Sequence, residues 1–164
     1  MTFRLALIIV VIGAASASAR PTGSTYVSPD RQLRAVVKPA KPGSVSTETC
    51  LVDIYKADGA LTGREGHSGG NPQVLFASWS PDSRFFVYTV VRRAGLHRSR
   101  PLVMVYVRES EYRFYDLADH VDGVIADPKW SFRRPSYLRG LIGRSGGVRA
   151  SEVDLSKIHW EKKT

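Results

Sequence analysis

Cysteine is almost missing from this 164-residue chain. Cys50 is the only one, so no internal disulfide can form. The four histidines stand far apart, with no H-x-x-x-H or C-x-x-C pairing, which removes the usual zinc frameworks. Long apolar runs are confined to the first nineteen residues, and no segment after them could cross a bilayer as a helix. Acidic residues are the minority, 15 Asp+Glu against 24 Lys+Arg, for a net charge of +9. That excess points toward acidic partners, but no nucleic-acid-binding signature accompanies it.

The N-terminal run is read as an address. Arg4 supplies a basic start, and residues 5–15 are apolar but too few to span a membrane. Ala17-Ser18-Ala19 then offers the small-residue pattern that a signal peptidase accepts. Residues 1–19 are therefore expected to be a signal peptide and residues 20–164 an exported single domain, periplasmic or secreted. A lipid anchor would need a cysteine at the cleavage point, and Cys50 lies well beyond it. The remaining 145 residues can bury enough apolar surface to fold without a disulfide, so Cys50 is expected to be a buried strand residue.

What the chain does contain is a repeat. Tyr26 to Val37, YVSPDRQLRAVV, aligns with Ser78 to Thr89, SWSPDSRFFVYT, at an offset of 52. In each copy Pro restricts φ and Asp can cap its own backbone, making a turn between two strands. Downstream, VDIYKADG from Val52 corresponds to VMVYVRES from Val103, and Asp58-Gly59 is a hairpin signal. Two four-strand units follow, at about 25–66 and 73–121. A partial third, at about 127–158, starts near Trp130-Ser131, where Phe132-Arg133-Arg134 stands in place of the turn.

These Ser-Pro-Asp turns resemble the repeats of TolB-type β-propellers, and the resemblance covers roughly residues 25 to 118. The chain is also similar to small bacterial exported proteins carrying isolated blades of this kind. The resemblance implies a fold, all-β, and not an activity. A closed propeller takes at least about four blades. The expected architecture is therefore an antiparallel meander of two to three blade-like sheets, not a closed propeller, each sheet burying one face and leaving the other wet. Phe76, Trp79, Phe85, Val87, Tyr88, Val90 and Tyr106 are expected in the core. Alternation should turn Val103, Val105 and Val107 one way and Met104, Tyr106 and Arg108 the other. Exposed sheet edges leave oligomerisation or strand addition by a partner open.

Two motifs invite a catalytic reading. GHSGG, from Gly66 to Gly70, fits the G-x-S-x-G pattern of a nucleophile elbow, with Ser68 as nucleophile and His67, His97 or His120 as base. Such an elbow needs a strand before it and a helix after it. Gly69-Gly70-Asn71-Pro72 starts no helix, and GRSGG from Gly143 fits the pattern equally well in another glycine-rich stretch. Both are expected to be turns, and a small hydrolase or enzyme accessory using the Gly66–Gly70 loop is the alternative function. Asp116, Asp119, His120, Asp122 and Asp127 could together hold calcium, but their spacing is not that of an EF-hand, and a solvated acidic connection is expected. No metal and no cofactor are expected.

The strongest polar feature is RRAGLHRSR, which gathers Arg92, Arg93, His97, Arg98 and Arg100 in nine residues at an expected hairpin tip. Arginine binds carboxylate or phosphate bidentately, so the tip is a candidate site for an acidic ligand. Arg133, Arg134, Arg139, Arg144 and Arg149 form a second basic region, and Lys157, Lys162 and Lys163 a third. The sequence thus points to a non-enzymatic binding module of the cell envelope whose partner is an acidic glycan, a lipid or an envelope protein.

Overall fold

The structure, a computed structural model, describes residues 23–39, 49–92, 101–110, 113–144 and 147–161. Among these the protein is all-β, its helical turns being short 3-10 segments at Leu117–Asp119 and Leu155–Lys157. The first sheet is β1 (Ser24–Val27), β2 (Leu33–Lys38), β3 (Thr49–Lys56) and β4 (Leu61–Ser68). The second is β5 (Gln73–Trp79), β6 (Phe85–Val91), β7 (Leu102–Val107) and β8 (Phe114–Asp116). The third is β9 (Val124–Arg134), β10 (Tyr137–Arg144) and β11 (Gly147–Asp154). Each is an antiparallel meander with its strands in chain order, and none closes into a barrel.

The sequence repeat recurs atom for atom at the turns. Ser28 Oγ donates to Asp30 Oδ1 (2.6 Å) and accepts from Leu33 N (3.0 Å); Ser80 Oγ donates to Asp82 Oδ1 (2.5 Å) and accepts from Phe85 N (3.0 Å). The fourth turn residue has positive φ in both copies, Arg31 at 58° and Ser83 at 62°. The serine hydroxyl therefore satisfies a backbone donor that the turn would leave unpaired, which is why a serine leads both motifs. The turns also meet, since Asp30 N donates to Ser83 Oγ at 3.0 Å.

The second sheet lies between the other two. On β6, Phe86, Tyr88 and Val90 pack with Leu33, Ala35, Val37, Cys50, Val52 and Ile54 of the first sheet. Phe85 and Val87 point the opposite way, into a cluster with Val103, Val105, Leu138 and Leu155. Trp130 Nε1 donates to Thr89 Oγ1 at 2.6 Å and fastens the third sheet to the same face. This double burial explains the unbroken apolar run FFVYTVV, a pattern otherwise typical of strands covered on both sides. Each large side chain buried there contributes roughly 1.5–3 kcal/mol of transfer free energy. The first strands of the sheets lie side by side, β1 against β5 and β5 against β9.

Several expectations are corrected. The strand Leu102–Val107 has no wet face: Val103, Val105 and Val107 meet the third sheet, and Met104 and Tyr106 meet the first. Phe76 is 36% exposed instead of buried, because a register shift between Val74 and Phe76 bulges the edge strand β5. The other six core residues named from sequence are buried. Phe132-Arg133-Arg134, which stands in place of the turn after Trp130-Ser131, is strand: β9 continues through Arg134, and the chain reverses at Pro135-Ser136. Cys50 is a free, buried thiol on β3.

Candidate functional site

The Gly66–Gly70 segment is not a loop. Gly66, His67 and Ser68 are the last residues of β4, and only Gly69, Gly70 and Asn71, all with positive φ, make the turn into β5. Neighbouring strand residues face opposite sides, so His67 is buried against the second sheet while Ser68 is exposed. His67 Nε2 pairs with the Tyr88 hydroxyl at 3.0 Å. Burial, and then the charge of Arg92, lower its pKa to about 4. Cys50, directly opposite His67 in the register, has its thiol pushed up by burial, the reverse of an activated nucleophile. Ser145 of the second motif lies outside the described residues.

The acidic connection is a working part of the fold. Asp116 caps the 3-10 turn through Ala118 N (2.9 Å), and Asp127 Oδ1 accepts from Lys129 N (2.8 Å). Leu117 is buried, and His120 packs edge-on against Tyr115 and tilted against Trp160, with ring centroids 5.6 and 5.1 Å away. Among the described residues no three His, Cys, Asp or Glu side chains converge as metal ligands would.

Of the basic tip, Arg92 follows β6 and is exposed, whereas Arg93, His97, Arg98 and Arg100 lie outside the described residues. Sequence inspection missed a different gathering of positive charge, at the turn end of the first two sheets. There Arg31 from the β1–β2 turn, Lys56 from the end of β3, and Arg108 and Arg113 from either side of the β7–β8 connection line a groove of about 500 Å3. Asp58 is the one carboxylate in the lining, and its Oδ1 already accepts from Ala60 N at 2.9 Å. Tyr106 forms part of the floor, with its hydroxyl accepting from Arg113 at 3.1 Å.

Arg108 is the strut of this groove. It donates to Asp30 Oδ2 at 2.6 Å and to Gln32 Oε1, crossing from the second sheet to the first. Burial works to raise the Asp30 pKa, but bonds from Ser28 and Arg108 outweigh it and hold the carboxyl at about 2. Asp30 is thus committed to Arg108. Arg31 and Lys56, by contrast, have no ion-pair partner among the described residues. Two uncommitted cations, with two more held in place behind them, form a site with the charge and donors for a carboxylate or phosphate.

A second ion cluster is fully satisfied. On the outer face of the first sheet, Arg64 grips Asp53 bidentately (2.6 and 3.0 Å), joined by Lys38 Nζ (2.7 Å) and the Tyr55 hydroxyl (3.1 Å). Arg64 first, and then Lys38 and Tyr55, hold the buried Asp53 at a pKa of about 2 despite its desolvation. This cluster ties β2, β3 and β4 together and gives both cations a buried carboxylate partner. One sequence signal could have found the groove: the repeat places Arg31 inside a turn and aligns Lys56-Ala57 with Val107-Arg108, so basic residues recur at one end of both units.

Compared with known proteins, the chain matches no protein-family model, no curated protein and no solved structure.

Proposed function

We propose that the chain is an exported, non-enzymatic binding module of the cell envelope that takes acidic ligands in the groove between its first two sheets. The reading treats the first two sheets as blade-like units of the TolB type, on the strength of their Ser-Pro-Asp turns, and the third as a partial unit. The carrying observation is the convergence of Arg31, Lys56, Arg108 and Arg113 on one depression with a single, already engaged carboxylate. Contacts of this kind displace counterions, so affinity for a polyanion falls steeply with salt.

The test is a titration with polyphosphate at low and moderate salt. The double variant Arg31→Ser/Lys56→Ser is expected to lose about tenfold in affinity and to flatten the salt dependence. Arg34→Ser, on the outer face of the first sheet, serves as control and should bind like wild type. If changing Arg92, Arg93, Arg98 and Arg100 to Ser abolishes binding while the groove variant is unaffected, the hairpin tip is the ligand site instead.

A further inference from the structure

The groove has a counterpart one sheet further on. A depression of about 350 Å3 opens between the second sheet and the segment that follows the third sheet's last strand, Leu155 to Trp160, at the same end of the molecule. Its lining repeats that of the first groove: Arg84 and Phe85 stand where Gln32 and Leu33 do at an offset of 52. Val107 and Glu109 likewise replace Lys56 and Asp58 at an offset of 51. The chemistry has changed. Arg84 is paired with Glu109 at 2.9 Å, and the far wall is Ile158 and Trp160 in place of the arginines of the first groove. One well is cationic and the other is neutral and aromatic. Consecutive residues after β7 border the two, Arg108 the first and Glu109 and Ser110 the second.

We propose that the two wells together dock an extended polypeptide of a partner protein, an acidic side chain entering the first groove and an aromatic side chain about three residues along entering the second. This rests on the acidic-ligand reading above and names the ligand class. Stacked sheets recur at about 10 Å, and a chain in the extended polyproline II conformation advances about 3.1 Å per residue with three residues per turn, so side chains three residues apart face the same way and span neighbouring wells. Charge complementarity selects the acidic residue. The apolar surface of Ile158 and Trp160, backed by the buried Phe85, selects an aromatic one, which brings large contact area for few rotatable bonds.

The experiment uses fluorescence anisotropy with three labelled peptides, each carrying one Glu-Glu pair and one Phe, separated by one, three or six residues. The three-residue spacing is expected to bind about tenfold tighter than the others. Arg31→Ser/Lys56→Ser and, separately, Ile158→Ser should each reduce it to the level of the misspaced peptides. Equal binding at all spacings overturns the two-well inference and leaves the acidic-ligand reading standing. So does polyphosphate binding that depends on Arg31 and Lys56 with no peptide binding at all. Absence of both overturns the two together.

Discussion

Single residues at the interface of the first two sheets show how closely packing and protonation are matched. His67 stays neutral in the fold with a pKa of about 4, chiefly through burial, whereas the unfolded chain takes up that proton near pH 6.5. Between those values the unfolded state binds more protons, so stability falls as pH drops below about 6.5 and is unaffected by His67 above it. Glu65, whose pKa burial raises, works in the opposite direction, so the His67 effect is read between pH 6.5 and 5 as the difference from a His67 variant. With solvent screening allowed for, the loss over that range is on the order of 1–2 kcal/mol. His67→Gln, able to keep a bond to Tyr88, should flatten the slope in urea unfolding at stepped pH. Gly63 is a second such position. A Cβ there would meet the Phe114 ring at 3.0 Å and the Tyr106 ring at 3.2 Å. Gly63→Ala is expected to cost about 1–3 kcal/mol, seen as a lower denaturant midpoint at unchanged slope.

At the scale of elements, the turns are where stability and function compete. Arg31 holds a left-handed backbone conformation at φ 58°, which costs a non-glycine residue roughly 1 kcal/mol, and it also lines the cationic groove. Arg31→Gly should therefore raise the melting temperature by a few degrees while weakening polyphosphate binding. Equal or lower thermal stability would show that the arginine side chain supports the turn. Ser83, in the corresponding position, differs because its Oγ accepts from Asp30 N, so glycine there removes a link between the turns. The turns and the strands beside them were legible in advance, since Ser-Pro-Asp is local chemistry: one hydroxyl, one ring and one carboxylate within three residues. The extent of β9 was not. Phe132-Arg133-Arg134 carries no turn signal of its own, and the strand runs on until Pro135, where no backbone N–H is available.

For the whole molecule, the third sheet is what allows two repeats to be a stable protein. It covers the face of Phe85, Val87, Val103 and Val105, which a pair of sheets alone would leave in water. A chain ending at Gly123 is accordingly expected to bind a hydrophobic dye and to associate in light scattering, whereas the full chain melts in one cooperative transition. A truncated chain that stays monomeric with an unchanged melting temperature would show that the first two sheets suffice.

The all-β class, the meander order of the first two units, the chemistry of their turns and the buried fate of Cys50 could be read from the residues alone. The order and the turns follow from alternation and from contacts within a few residues, the all-β class from the resemblance these turns carry, and the buried cysteine from its having no second cysteine to pair with. The tertiary structure alone decided which face of each strand is covered, because that depends on sheets more than fifty residues apart stacking on both sides of the second. It also decided where charge gathers. Arg31, Lys56, Arg108 and Arg113 are scattered along the chain, and the stacking of two sheets at one end makes them neighbours. Ser68 and His67, adjacent in sequence, are parted for the same kind of reason: consecutive residues of an extended strand point to opposite faces.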